Sequence, residues 1–117
     1  MMPLSSARLL DQLESYDEVE VLVRLGREPE RVWTAFTLAY ELRRREASVD
    51  DAVAHLQHVG VVRQEACGRV RYAAESPALE RSAAELIGAY EADRLALIRF
   101  FRERRMCGGE LTGSIDP

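Results

Sequence analysis

The histidines of this chain are the residues whose spacing could support metal chemistry. His55 and His58 lie one helical turn apart, and Asp51 lies one turn before His55, so one helix face would carry two imidazoles and a carboxylate. Such a set could bind a transition metal. No fourth ligand is evident, however, and a solvated polar face with an Asp51–His55 salt link is the favoured interpretation. The sequence therefore predicts no metal site and no cofactor.

The two cysteines are the next candidates for chemistry. Cys67 and Cys107 are far apart, and neither belongs to a Cys-x-x-Cys pair. Because no secretory leader or membrane-length apolar stretch is evident, we expect a cytoplasmic protein with free thiols and no membrane partner. Redox sensing by Cys67 beside Arg69 is the alternative interpretation. No phosphate loop or nucleophile motif occurs, so the sequence does not predict an enzyme.

Composition indicates one domain and bears on the class of partner. The chain has 117 residues, is 47% hydrophobic and has a net charge of −4, which fits a single domain with its own core. All 16 basic residues are arginine, against 20 acidic residues. The abundance of Arg and Ala is typical of a GC-rich bacterial genome. The acidic balance weighs against a nucleic-acid-binding surface, which is normally basic.

Apolar spacing predicts two helices before the middle of the chain. Ser5 or Ser6 would cap the first, which buries Leu9, Leu10 and Leu13. The second would begin near Asp17 and end at Gly26. Pro29 then prevents helix continuity across a polar connection.

The middle of the chain predicts two helices and a ribbon. Thr34 would cap a helix over Phe36–Leu42 that continues through Arg43–Glu46, before Ala47. Ser48 would open the next helix, and Asp51 three residues later makes an arrangement close to a capping box. That second helix would end at Gly60, with an apolar stripe facing inward. The inward residues are Val49, Ala52, Val53, Leu56 and Val59. The ribbon covers Val61–Tyr72, with its turn at residues 66–68 and with Val32–Thr34 as a third strand at its edge.

The strongest helical pattern predicts one long helix from Ala78 to about Arg104, roughly 40 Å in length. A small core could not cover such a helix alone, so we expect a homodimer. Its seam would be formed by Leu86, Tyr90, Leu97, Ile98 and Phe101. In this division, residues 1–104 form a single domain with a core at about 17–75, and residues 105–117 form a flexible tail.

Two segments carry a family resemblance. Leu38–Leu42, with the sequence Leu-Ala-Tyr-Glu-Leu, and Ser48–Leu56 followed by Val59–Val62 are similar to the two helices and the following strand of a helix-turn-helix with a β-wing. The chain thus resembles the winged helix-turn-helix family of bacterial transcriptional regulators. The implied fold is mainly α with a small β-ribbon, flanked by an N-terminal helix and a long C-terminal helix. The connection at Arg43–Ala47 departs from the family because it is longer and lacks glycine.

The resemblance implies binding to double-stranded DNA, with the second helix in the major groove. Six arginines would hold phosphates: Arg43, Arg44, Arg45, Arg63, Arg69 and Arg71. Three residues would probe bases: His55, Gln57 and His58. Asp50 and Asp51 on the same helix oppose this function, since DNA phosphates would repel them. The alternative is a protein-interaction module in which Asp50, Asp51 and His55 contact a basic partner.

Overall fold

The computed structural model describes the backbone of residues 9–113 and the side chains of residues 9–104; the predicted cap at Ser5 or Ser6 lies outside the described residues. The fold is mainly helical with a small three-stranded antiparallel sheet, as predicted at this coarse level. The described helices are α1 (residues 9–12), α2 (Tyr16–Arg27), α3 (Ala35–Leu42), α4 (Glu46–Val59), α5 (Pro77–Ala92) and α6 (Arg94–Gly113). The strands are β1 (Trp33–Thr34), β2 (Val62–Glu65) and β3 (Arg69–Tyr72).

Helix α3 begins at the predicted cap and ends earlier than predicted. The Thr34 side chain accepts a hydrogen bond from the Thr37 backbone, and the Thr37 hydroxyl accepts one from the Thr34 backbone, which forms a capping box. The predicted continuation through Arg43–Glu46 is wrong, because Arg43 adopts the left-handed conformation (φ 58°). The Arg44 amide then bonds back to the carbonyl of Ala39, which closes the helix end.

Helix α4 begins at Glu46, after a turn of only three residues, and therefore starts before the predicted cap at Ser48. Ser48 lies inside the helix, so the predicted capping box with Asp51 is wrong. The preceding Arg45 has extended backbone and makes no side-chain cap. The helix ends at Gly60, as predicted, because φ of 103° there favours a residue without a Cβ atom.

The sheet has the order β1-β3-β2, so the last strand lies in the middle. Trp33 of β1 pairs with Val70 of β3, and this pairing confirms the predicted third strand. Strands β2 and β3 form a hairpin in which Val62 lies opposite Tyr72. A short 3-10 turn, Ala66–Gly68, joins them with Cys67 exposed at its centre.

The core surrounds α2, which packs against α3, α4, α5 and the sheet. Helix α4 contributes the predicted stripe of Val49, Ala52, Val53 and Leu56, all buried; Val59, also predicted to face inward, is half-buried and packs against the core. Because this stripe fixes the rotation of α4, it also decides which residues the helix presents to solvent.

The predicted long helix over 78–104 is wrong, since the chain breaks at Asp93 between α5 and α6. The Asp93 carboxylate accepts a hydrogen bond from the backbone of Ala96 and so caps α6. The break lets α6 fold back, which buries Leu97 and Phe101 in the chain's own core. Helix α6 continues through Gly113, so the predicted flexible tail begins as helix; residues 114–117 lie outside the described residues.

Candidate interaction surface

The solvent side of α4 is acidic. Glu46, Asp50 and Asp51 are exposed on this helix, and we call these three residues the acidic face. The rest of the exposed side is small or uncharged, with Ala47 and Ala54, and α4 contains no Arg or Lys. Glu46 lies in the first turn, where a carboxylate interacts favourably with the helix dipole, and Asp50 and Asp51 are hydrated, so the arrangement is stable without a partner. Its uncompensated charge is available for contacts with another molecule.

His55 does not point to solvent with the acidic face. Its Nδ1 lies 2.9 Å from Oε1 of Glu18 in α2, and its Nε2 lies 3.7 Å from Oε2 of Glu14. The ring is mostly buried between these carboxylates. His55 is therefore withdrawn from both predicted roles, base contact and partner contact. The predicted salt link to Asp51 is replaced by the link to Glu18.

The other two predicted base-probing residues have different surroundings. The Gln57 side-chain oxygen accepts a hydrogen bond from the backbone of Gln64, at 2.9 Å, which ties α4 to the start of the hairpin. His58 is exposed, and its ring stacks on His55 with 6.2 Å between ring centroids. Of the three residues, only His58 forms no hydrogen bond with another described residue.

The six predicted phosphate-binding arginines fall into two groups. Arg44 bonds to Asp17 at 3.0 Å and approaches Glu20 at 3.9 Å, and Arg71 bonds to Glu65 at 3.0 Å. These two are occupied by the chain's own carboxylates. The remaining four are exposed and form no ion pair with any described residue. They are Arg43, Arg45, Arg63 and Arg69.

The residues predicted to form a dimer seam lie mostly inside the molecule. Leu86, Leu97 and Phe101 are at most 5% exposed, in contact with the chain's own core. Tyr90 and Ile98 are half-buried. The reason is the break at Asp93, which folds α6 onto the core instead of extending it outward.

Two exposed aromatic residues were not predicted as surface. Phe36 and Tyr40 are 65% and 78% exposed, one turn apart on α3. The side of α3 that faces the core carries Leu38 and Ala39 instead. The sequence does indicate the exposure of Phe36 and Tyr40, because these residues lie four positions apart and out of phase with Leu38 and Leu42. The side chain of Arg43 lines a shallow depression beside Tyr40.

A polar network around Glu20 was also not predicted from the sequence. The buried Glu20 carboxylate accepts hydrogen bonds from Tyr90 and Arg94, each at 3.2 Å. Arg94 also donates to the Tyr16 hydroxyl. Burial raises the pKa of Tyr16, an effect that the Arg94 hydrogen bond partly opposes, so the phenol stays neutral. The two halves of the network, in α2 and around the junction of α5 and α6, are separated by about seventy positions in sequence, and only the fold brings them together. The network joins α2 to α5 and α6 and serves structure.

Comparison with known proteins adds no assignment: no family model, curated protein or solved structure matches the chain. None of the described helices is both long and apolar enough to cross a membrane. The function is therefore inferred from the shape and charge of the surface.

Proposed function

We propose that this chain is a winged helix-turn-helix module that binds a basic protein segment through the acidic face of α4. The observation that carries the proposal is the charge of that helix: three exposed carboxylates and no cation. A positively charged partner would neutralise them, and charge complementarity of this kind favours fast and selective association.

The order of helices and strands supports the winged helix-turn-helix part of the proposal. The chain runs helix, strand, helix, helix and then hairpin, with β3 between β1 and β2. The turn between α3 and α4 has three residues, which is the length expected of a helix-turn-helix. Arg43 takes the left-handed conformation there, in a connection where family members usually have a glycine. The departure inferred from the sequence at Arg43–Ala47 is therefore small.

The acidic face argues against a groove-binding role for α4. DNA carries one charge per ~1.7 Å of helix axis, so Asp50 and Asp51 would meet strong repulsion in the major groove. Two of the three residues expected to probe bases, His55 and Gln57, are bound to other parts of the chain. The groove-facing surface would thus consist of carboxylates, alanines, His58 and the amide nitrogen of Gln57.

The exposed aromatic pair on α3 favours a protein partner independently. Aromatic side chains at the surface, accompanied by arginine, are the residue types that most often dominate the energy of protein–protein contacts. Phe36, Tyr40 and Arg43 supply this combination on the helix next to α4.

A photo-crosslinking experiment tests the proposal. A photoreactive residue replaces Ala54, which is exposed on α4, or Ala84, which is exposed on α5 and acts as the control position. In cells that naturally express the protein, we expect a protein adduct from position 54 and not from position 84. Asp50→Asn with Asp51→Asn should abolish the adduct, because the change removes charge and keeps side-chain size.

A matched charge control separates local from general electrostatics. Glu80→Gln with Glu103→Gln removes two exposed carboxylates from α5 and α6 and leaves the acidic face intact. This variant should retain the adduct. Absence of an adduct from position 54, or its survival in the Asp50→Asn, Asp51→Asn variant, would contradict the proposal.

DNA binding is the second candidate, and one observation favours it. Arg43 and Arg45 lie in the turn before α4, Arg63 and Arg69 lie in the hairpin, and none of the four is paired within the described residues. They could hold phosphates on both sides of α4. A homodimer on DNA would need a surface other than the buried seam residues described above.

A mobility-shift titration with mixed genomic fragments at two salt concentrations decides between the candidates. A DNA-binding protein should shift the fragments at low salt, lose affinity steeply as salt rises and weaken in Arg63→Ala and Arg69→Ala. The protein-interaction module should shift nothing at either salt concentration.

A further inference from the structure

The buried carboxylate of Glu18 lacks a permanent cation. Glu18 is 4% exposed, and its Oε1 accepts a hydrogen bond from the Glu14 backbone at 3.0 Å. Its other close partner is Nδ1 of His55, at 2.9 Å, and no arginine pairs with it among the described side chains. A buried carboxylate is expensive unless an opposite charge lies close to it. Imidazole supplies that charge only when it is protonated.

A second carboxylate approaches the same imidazole from another side. The Glu14 side chain is 72% exposed, and its Oε2 lies 3.7 Å from Nε2 of His55. One donor atom from each of Glu14, Glu18 and His55 lies within 4.8 Å of the other two. The three residues come from three segments: the connection before α2, α2 itself and α4. Because one ion binds only one nitrogen of the ring, the exposed Glu14 side chain would rotate from Nε2 toward Nδ1, the nitrogen that Glu18 contacts.

An open hollow lies beside the two carboxylates of the cluster, Glu14 and Glu18. The hollow has a volume of about 300 Å³ and is lined by Glu14, Glu18, Ser48 and Asp51, whereas His55 lies behind the carboxylates and does not line it. Asp51 lines the hollow but is not one of the mutually close donors, so it would reach an ion there through water. Asp17 on the same rim is bonded to Arg44 and is not needed as a ligand.

We infer that Glu14, Glu18 and His55 form a binding site for a divalent transition-metal ion of the zinc class. One imidazole nitrogen with two carboxylate oxygens suits Zn²⁺, Co²⁺ or Ni²⁺ better than Mg²⁺ or Ca²⁺, which prefer sites made of oxygen alone. Three protein ligands leave one position for water. Bound metal would neutralise Glu18 and fasten the start of α2 to α4.

This ligand set differs from the one that the sequence suggested. The sequence placed Asp51, His55 and His58 on one helix face. In the structure His55 turns toward α2, so the ligands belong to different segments, and His58 is left outside the set. The inference goes beyond the proposed partner binding and is tested without any partner.

The test is calorimetric titration of Zn²⁺ into the full chain, prepared without an affinity tag and treated with a chelator. We expect one ion per chain and an increase in melting temperature, since metal that binds the native state stabilises it. His55→Gln, which can still hydrogen-bond to Glu18, should weaken binding by at least about 100-fold, more than the loss of an outer-shell partner. Glu14→Gln, a change at an exposed position, should weaken it roughly tenfold or more. His58→Gln is the matched control and should bind as the unchanged protein does.

Thiols could also bind zinc, so a second measurement identifies the ligands. Cobalt bound by thiolate shows charge-transfer absorption in the near ultraviolet, and the proposed site should show none. The Cys67→Ser, Cys107→Ser double variant should retain one bound ion. Circular dichroism confirms that each variant is folded. Failure of the folded protein to bind Zn²⁺ would overturn the inference, as would binding that survives His55→Gln or disappears in the cysteine variant.

Discussion

The charged groups on the two sides of α4 differ in their partners. Toward α2, the mostly buried His55 lies between the buried carboxylate of Glu18 and the exposed carboxylate of Glu14. Toward solvent, Asp50 and Asp51 have no cationic partner among the described residues. The same helix therefore carries one set of polar groups that the fold uses and another that it leaves unused.

This difference separates structural charge from charge available for binding. A buried polar group without partners destabilises a fold, so the inner set must be satisfied within the chain. An exposed carboxylate has water as its partner and is unconstrained by folding. Substitutions on the inner side should therefore change stability, whereas substitutions on the outer side should change binding alone.

The largest effect is expected at Leu56, which is fully buried on the inner side of α4. Leu56→Ala should lower the free energy of unfolding by about 2–5 kcal/mol, because it removes apolar contacts and leaves a cavity. His58→Ala, on the outer side of the same helix, should change it by less than about 0.5 kcal/mol. Urea unfolding of both variants measures the contrast. Equal losses would mean that α4 is rotated relative to the arrangement described here.

The second-largest loss of stability is expected at Glu18. Glu18→Ala removes the acceptor for the Glu14 backbone and for His55, so we expect a loss of about 2 kcal/mol, the usual range for hydrogen bonds to a charged group. Asp51→Ala is the matched carboxylate on the outer side and should have little effect. Urea unfolding in the presence of a chelator keeps bound metal out of the comparison. If the two variants were equally stable, the cluster around His55 would not contribute to the fold.

Local sequence signals predicted that α3, α4 and the hairpin exist, but not the boundary between the two helices or their charge partners. The cap at Thr34, the apolar stripe of α4 and the stop at Gly60 all arise from residues close in sequence, where periodicity and backbone preference act. The direction of His55 depends on α2, thirty-seven positions earlier, and no local rule indicates it. The break at Asp93 was missed because an apolar pattern can remain in phase across a short interruption.

Neighbouring arginines in the turn before α4 sharpen the comparison on a smaller scale. Arg44 is bonded to Asp17 and also approaches the buried Glu20, whereas Arg43 is exposed and unpaired within the described residues. Arg44→Ala should lower the free energy of unfolding by about 1 kcal/mol, the upper range for a partly exposed ion pair. Arg43→Ala should change stability less. Thermal unfolding at low and high salt measures both variants, and only the Arg44 effect should shrink as salt screens the pair.

The smallest effect on stability, and the most informative for function, is expected from the acidic face. Asp50→Asn with Asp51→Asn should alter the free energy of unfolding by no more than about 0.5 kcal/mol, since both side chains are exposed. The same variant should lose its crosslinked partner and gain weak, salt-sensitive affinity for DNA, because the repulsion of phosphates is reduced. Unfolding curves and anisotropy with a labelled duplex measure these properties separately. A stability loss above about 1 kcal/mol would place the two aspartates with the structural charges of the inner side and remove the basis for assigning them to a partner.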